Sequence, residues 1–435
     1  EIGREVIRPS IAGLMGAYGA ALFAKMQKTE KSSLIDREKL EKFTHTSKAA
    51  SCHGCTNNCQ ITINIFNGNE RYVSGNKCEK GAGLKESSKE IELIPNLHRY
   101  KRDKFQKLMD DPGDGTRGTV GLPLALGMYE LGPLWYTFFK TLGYKVIFSG
   151  FSNRSVYTKG QYSIPSDTAC YPAKIMHGHI ETLVDKNADM IFYPCLTYNI
   201  DENISDNCYN CPVVAYYSEL LSGNMESLRS TEFIYPYLNI NNKKELAQEL
   251  YSVFKDRSGG FSKKEIRNAV DKAFDAYREW MKDIRDEGVR AIKWAEENGK
   301  RVMILAGRPY HIDPEIGHGI DNLAVSLGFC VVSEDSISDL TSPPNVNVLN
   351  QWTYHARLYA AAKYATEHSN TELVQLVSFG CGIDAITTDE VRAILEGKNK
   401  LYTQIKIDEI TNLGAVRIRL RSLLGALDFA RYSDI

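Results

Sequence analysis

Cys52, Cys55 and Cys59 fall within eight positions of "SCHGCTNNCQ", and Cys78 follows in "KCEKG", a C-x2-C-x3-C-x18-C series. Thiolates are the ligands of soft metals, and a two-residue gap lets both sulfurs of one turn face the same ion. By number alone the four suit zinc or an iron-sulfur cluster. Their spacing favours the cluster: zinc ribbons pair two C-x2-C knuckles, whereas three close thiols and a remote fourth are a cluster arrangement. A second set is scattered: Cys170 in "PSDTACYPAK", Cys195 in "FYPCLTY", Cys211 in "NCPVV" and Cys381 in "SFGCGID". Each stands where a predicted strand ends or a helix is about to begin. In open α/β sheets ligands collect outside the carboxyl ends of the strands, so these four could meet in one cleft. Buried cysteine is also a common apolar filler, which is the competing explanation for any one of them. Their shared context sets them apart: Pro or Gly adjoins Cys195, Cys211 and Cys381, and Pro172 lies two residues after Cys170. Cys208 precedes Cys211 in "CYNC" and is either a further ligand or a coincidence, while Cys330 in the apolar "GFCVVSE" reads as core.

Ionisable residues gather near the second set. "GRPYHIDPEIGHG" holds Arg308, His311, Asp313, Glu315 and His318 in one loop after a predicted strand, which reads as a binding loop. The fork of Arg308 suits a phosphate or carboxylate, and His311 and Glu315 are candidates for proton transfer. "HGH" places His177 and His179 near the start of a helix just after Cys170. They are candidates for hydrogen bonds or protons delivered to a cluster, against the plain reading of an ordinary packed pair. Lys174 either offsets the charge of a thiolate-bound cluster or is solvated. Asp384, Asp408 and Glu409 stand where acids commonly cap the following helix.

The elements that must position these residues follow from periodicity. Residues 1–48 hold a small-residue helix, "GLMGAYGAALFAK", and a charged linker; the helix looks like the last one of an upstream domain. Residues 49–112 form a cysteine-rich unit and a basic connector. There "CQITINIF" and "RYVSG" alternate as strands around "NGNE", a tight-hairpin signal that would return Cys78 to the first three thiols. Residues 113–241 alternate strands and helices, the pattern of a parallel sheet. Residues 242–299 read as a charged helical connector, with Trp280 and Trp294 suited to packing across two domains, and residues 300–435 as a second α/β domain. The expected fold class is therefore α/β: two open parallel-sheet domains, a small cysteine-rich β-hairpin module and an N-terminal helix. No repeat of 20 to 50 residues is visible in the sequence.

Composition narrows the partners. A chain of 435 residues, 43% hydrophobic and 25% charged, is ordinary for a soluble globular protein of two to three domains. A formal net charge of -1 gives no electrostatic reason to expect nucleic acid or an acidic membrane surface. The apolar run from Ile11 to Ala24 is too short to span a bilayer, so a cytoplasmic location is expected. Ten cysteines in so long a chain are far from a disulfide scaffold. With no P-loop, G-x-G-x-x-G or nucleophile elbow, ATP is expected only through an upstream domain.

Two resemblances extend this reading. Over about 32 residues the hairpin unit is similar to the N-terminal 4Fe-4S module of molybdopterin oxidoreductases, which favours a 4Fe-4S cluster at Cys52, Cys55, Cys59 and Cys78, with structural zinc as the alternative. Over almost all of the chain, "VGLPLALGMYELGPLWYTFFKTLGYKVIFS", "IPSDTACYPAKIMHGHI", "IFYPCLTYN", "NCPVVAYYSEL", "GRPYHIDPEIGHGI" and "SFGCGIDAI" occur in order. They resemble the large proteins related to activators of 2-hydroxyacyl-CoA dehydratases, the CoA-substrate-specific enzyme activase-related family. "RPSIAGLMGAYGAALFAK" resembles the closing helix of the actin-like ATPase domain that such polypeptides carry upstream. The resemblance implies a part similar to dehydratase and double-cubane-cluster reductase subunits, with Cys170, Cys195, Cys211 and Cys381 as ligands of a second cluster, 4Fe-4S or double-cubane, in the cleft. Departures are Leu124 in "GLPLAL", where the family has a basic residue, and Ile410 in "IDEI", where it has histidine. The expected function is an oxygen-sensitive iron-sulfur redox protein. It would take low-potential electrons from an ATP-dependent activator, in the same polypeptide or separate, and reduce a small substrate such as an acyl-CoA. Arg308, His311 and His179 would be the residues serving that substrate, and a homodimer is an open possibility. The alternative is a non-catalytic, zinc-stabilised scaffold that docks an activator to a partner dehydratase.

Overall fold

The computed structural model describes residues 10–26, 35–52, 59–75, 91, 93–378, 380–409 and 412–433. The chain divides into two compact units, residues 1–50 with 62–74, and residues 51–61 with 75–435.

In the first, helix Met15–Met26 buries none of its residues. Strands β1 (His45–Ser51), β2 (Gln60–Phe66) and β3 (Glu70–Ser74) form a sheet in the order β1-β2-β3. β2 and β3 are antiparallel with Phe66 opposite Glu70, the hairpin that alternation around "NGNE" predicts. Asn67 and Gly68 both take positive φ, 51° and 79°, which explains an Asn-Gly pair at the bend. β1 is an addition that its residues did not announce, because "HTSKAAS" has no apolar alternation.

The second unit is α/β with two four-stranded parallel sheets. The first has the order β5-β4-β6-β7, from β4 (Thr119–Leu122), β5 (Lys145–Phe148), β6 (Met190–Phe192) and β7 (Glu232–Ile234). The second has the order β11-β10-β8-β9, from β8 (Val302–Ala306), β9 (Cys330–Val332), β10 (Thr371–Ser378) and β11 (Thr403–Ile407). Counted in chain order within each sheet, both read 2-1-3-4. The two sheets therefore share one topology although their sequences show no repeat. In each, the strand order reverses between the first and third strands, and the loops leaving those two strands diverge around a crevice.

Helices fill the connections. Met128–Thr141 follows β4, with Trp135, Phe138 and Phe139 fully buried against Phe192 of β6 and Phe254. Tyr171–Asp185 leads to β6, Pro212–Asn224 to β7 and Gly382–Glu396 to β11. Helix Lys263–Glu297 rises roughly 50 Å at 1.5 Å per residue and starts from a Ser262/Glu265 capping box. Its buried stripe runs from Ile266 to Ala295, and Trp280 meets Phe105 edge-on at 5.0 Å. At Gly288 an added Cβ would lie 2.7 Å from Ser336 Cβ, so this helix presses its backbone onto the loop after β9. Among the described residues no helix is long and apolar enough to cross a membrane.

Buried ion pairs join the halves of this unit. Arg357, in helix Thr353–Glu367, donates to Glu130 at 2.6 Å and to Glu202 at 2.7 Å. Lys101 pairs with Asp335 at 2.6 Å, and Lys174 with Glu409 at 2.6 Å.

Candidate functional site

Cys170, Cys211 and Cys381 each occupy the N-cap of a helix: Tyr171–Asp185, Pro212–Asn224 and Gly382–Glu396. Pro172 and Pro212 start two of those helices, because a first turn has no use for the proline N–H. Cys211 Sγ itself caps its helix, accepting from Val214 N–H at 3.4 Å. Cys211 and Cys381 are topological equivalents, each at the start of the helix after the third strand of its sheet. All three are free, partly buried thiols.

Burial pushes the Cys170 thiol up to about 11, with Cys211 and Cys381 adding to the rise and Arg308 opposing it. Burial likewise raises the Cys211 thiol, again with Cys381 adding and Arg308 opposing. Tyr310 is the fourth neighbour. Burial lifts its phenol well above the usual range, and all three thiols contribute to the rise. Cys381 also borders a cavity of about 180 Å³ lined by Ser378, Asp384, Gln404 and Lys406, where the buried Ser378 Oγ has no hydrogen-bond partner.

Arg308 leaves the carboxyl end of β8 and is 4% exposed. Its Nη2 donates to the Asp384 carboxylate, to Cys381 Sγ at 3.3 Å and to His355 Nε2 at 3.2 Å. Asp384 is held in turn by Ser378 N–H at 3.0 Å. The guanidinium fork is thus spent on the protein's own groups. His311 Nδ1 accepts from Arg308 N–H at 3.2 Å, while its Nε2 is buried without a partner; His355 Nδ1 is in the same state. Burial, aided by Arg308, drives both rings well below the usual histidine range, so both are neutral.

The other residues singled out in the sequence lie in different surroundings. Cys195 is almost fully buried, with Sγ 3.2 Å from Ser218 Oγ, and it borders a separate cavity of about 430 Å³ with Tyr198, Tyr237, Asn239 and Asn241. Cys208 donates to Asp201 at 3.4 Å, so the "CYNC" pair does not converge, and Cys330 donates to the Ala291 carbonyl in the core. His179 has both ring nitrogens on serines, Ser149 at 2.7 Å and Ser152 at 2.8 Å; His177 is held by Ser163 at 2.8 Å and Tyr217 at 3.0 Å. Lys174 is neutralised by Glu409. Asp313 caps a short turn through Glu315 and Ile316 N–H and accepts from Tyr129, while Glu315 accepts from Tyr171 at 2.9 Å. In the hairpin set, Cys52 N–H donates to the Cys59 carbonyl at 2.8 Å. Cys55 and Cys78 lie outside the described residues.

Tyr310, His355 and the Asp384 partnership were not found by reading the sequence, although Tyr310 sits inside the "GRPYHIDP" loop. Among the described residues no group of three His, Cys, Asp or Glu is gathered tightly enough for a single metal ion. One zinc would need every sulfur at about 2.3 Å.

The family model of the CoA enzyme activase uncharacterised domain (DUF2229) matches residues 119–337, just over half of the chain. It opens on the first residue of β4 and includes Cys170, Cys195, Cys211 and Arg308, but ends before Cys381. No curated protein matches the chain.

Proposed function

The chain belongs to the family of the CoA enzyme activase uncharacterised domain, and from that premise we propose that it is an iron-sulfur redox protein. It accepts low-potential electrons from an ATP-dependent activator and delivers them to a small substrate, an acyl-CoA thioester. The observation that supports this reading is that Cys170, Cys211 and Cys381 each stand at a helix N-terminus, with the buried Arg308 donating to Cys381 Sγ.

When bound, a cluster supplies one-electron reduction at low potential. The chain's own residues do the rest. Burial raises the Cys170 and Cys211 thiols above their ordinary range, so each would release its proton when a cluster binds. Arg308 donates to Cys381 Sγ, the kind of hydrogen bond that raises a cluster's potential, and Asp384 fixes the fork that makes it. His311 and His355 each take one contact from Arg308 and keep the other ring nitrogen buried without a protein partner, so as neutral rings each can offer an N–H there to a bound group. His179 is placed to orient Ser149 and Ser152 and has no nitrogen to spare. The reading uses three thiols in the cleft and leaves Cys195 out. The hairpin cysteines Cys52, Cys55, Cys59 and Cys78 would hold a 4Fe-4S relay from the activator, a reading supported by their spacing and by the hydrogen bond from Cys52 N–H to the Cys59 carbonyl.

Anaerobic purification followed by iron and sulfide analysis and electron paramagnetic resonance tests the proposal. The expected result is two distinguishable cluster signals, of which one disappears in each of Cys170→Ala, Cys211→Ala and Cys381→Ala while Cys330→Ala keeps both. Zinc in place of iron, or iron content indifferent to the three substitutions, would overturn it in favour of a scaffold.

A further inference from the structure

Helices Lys243–Phe254 and Lys263–Glu297 flank a solvent-open groove of about 750 Å³, within the roughly 300 to 1,000 Å³ of small-molecule sites. Its lining includes Lys243, Lys244, Tyr251, Lys263, Arg267 and Asp271. On each helix the lining residues recur at about every fourth position, so each helix lends one stripe to the groove, with Lys244, Lys263, Arg267 and Asp271 exposed on it.

The cations stand in two pairs at opposite ends. Lys243 lies 4.7 Å over the Phe274 ring, deep along the second helix, whereas Lys263, at that helix's start, lies 5.5 Å over Tyr251. Lys243 and Lys244 therefore mark one end, Lys263 and Arg267 the other. Eight residues of helix, about 12 Å, separate Lys243 from Tyr251. Neighbouring arginines are paired: Arg257 with Glu232 at 2.9 Å and Arg117 with Glu265 at 3.6 Å. Among the described residues none of the four cleft cations has a carboxylate within ion-pair distance. Three of them also occupy the first turn of a helix, where the helix dipole disfavours positive charge. The first-turn N–H groups are already served by Asn242 and Ser262, which leaves the side chains as the anion-binding groups. Unpaired cations held where local structure disfavours them have a use when an anion binds between them.

We infer that this groove binds a phosphate-bearing small molecule with anionic groups toward both ends. Lys243 and Lys244 hold one end, Lys263 and Arg267 the other, and Ala247, Tyr251 and Val270 meet its middle. The inference is independent of the thiol site, and its readout needs no iron. Calorimetric titration of the full chain with inorganic phosphate, fructose 1,6-bisphosphate and coenzyme A tests it. Coenzyme A or the sugar bisphosphate binds at least tenfold more tightly than inorganic phosphate, and whichever is tighter names the source as nucleotide or sugar phosphate. The double variants Lys243→Glu/Lys244→Glu and Lys263→Glu/Arg267→Glu each weaken that binding at least tenfold with an unchanged melting temperature, while Lys263→Arg preserves it. Equal affinity for all three probes would mean an adventitious ion only. That result, affinity indifferent to both charge reversals, or tighter binding of a single-stranded oligonucleotide through the same residues would each overturn the assignment.

Discussion

Arg308 shows how far a single side chain can differ from what its type suggests. In the sequence it stands ready for a substrate phosphate; in the fold its charge is buried and committed to Asp384, Cys381 and His355. Removing one partner of a buried pair strands the other, at a cost of about 3–5 kcal/mol, whereas replacing both by apolar groups is often nearly neutral. Arg308→Met should therefore lower the unfolding free energy in urea by about that amount, and adding Asp384→Leu should recover most of it. A double variant as unstable as the single one would show that Arg308 is not acting through Asp384. His177 and His179 make a second prediction at this scale. Burial lowers both rings to about 4, from an ordinary value near 6.5. Between those values the unfolded chain binds protons that the native state refuses, so stability is full above about pH 6.5 and falls as pH drops toward 4. Each ring contributes at most roughly 3 kcal/mol at 1.36 kcal/mol per pH unit. Urea midpoints measured from pH 7 to pH 4 should fall steadily, and His177→Gln should flatten the slope. An unchanged slope would place the acid sensitivity elsewhere.

Helices and strands decide which of these side chains meet. The candidate thiols were legible because a cysteine beside Pro or Gly at a strand end is a recognisable place in an α/β chain, and three of the four came to stand at helix N-termini. Cys195 did not, for a reason that spacing cannot show: "YPC" continues beyond β6 into a bridge with Tyr237, and the thiol turns toward Ser218. One residue of register decides which side of a sheet a side chain faces, and register follows from partners that are distant in sequence. "HGH" was misleading in the same way. Its chemistry-bearing histidines are bound to hydroxyls in the core, and the residue that matters most is Gly178. There helix Arg154–Gly160 crosses helix Tyr171–Asp185 so closely that an added Cβ would sit 1.8 Å from the Val156 carbonyl oxygen and 2.6 Å from its carbon. Backbone cannot yield as a flexible side chain does, so Gly178→Ala should reach or exceed the upper end of the usual overpacking cost, about 3 kcal/mol. A loss below about 1 kcal/mol in denaturant titration would mean the crossing opens freely.

For the molecule as a whole, the shared 2-1-3-4 order of the two sheets was invisible in the sequence, since topology is set by the order in which strands pair and not by recurring residues. It brings Cys211 and Cys381 to equivalent positions and makes each half of the α/β unit a plausible folding unit by itself. What opposes separate unfolding is charge buried across the halves. Arg357, 1% exposed on the second-sheet side, reaches Glu130 and Glu202 on the first, and Lys174 on the first reaches Glu409 on the second. Burial raises the Glu130 carboxyl even with Arg357 beside it, so without the arginine this acid would have to be buried as a stranded charge or take up a proton. Separating the halves exposes all of these groups together, which couples the two sheets into one transition. Unfolding followed by tryptophan fluorescence, with Trp135 in the first half and Trp352 in the second, should coincide with unfolding followed by circular dichroism. Arg357→Met should cost about 3–5 kcal/mol and separate the two curves, because the half that loses its partner across the boundary then melts first. Curves that remain superimposed in the variant would assign the coupling to the apolar packing of helix Lys263–Glu297 instead, a helix whose buried stripe runs along most of its length.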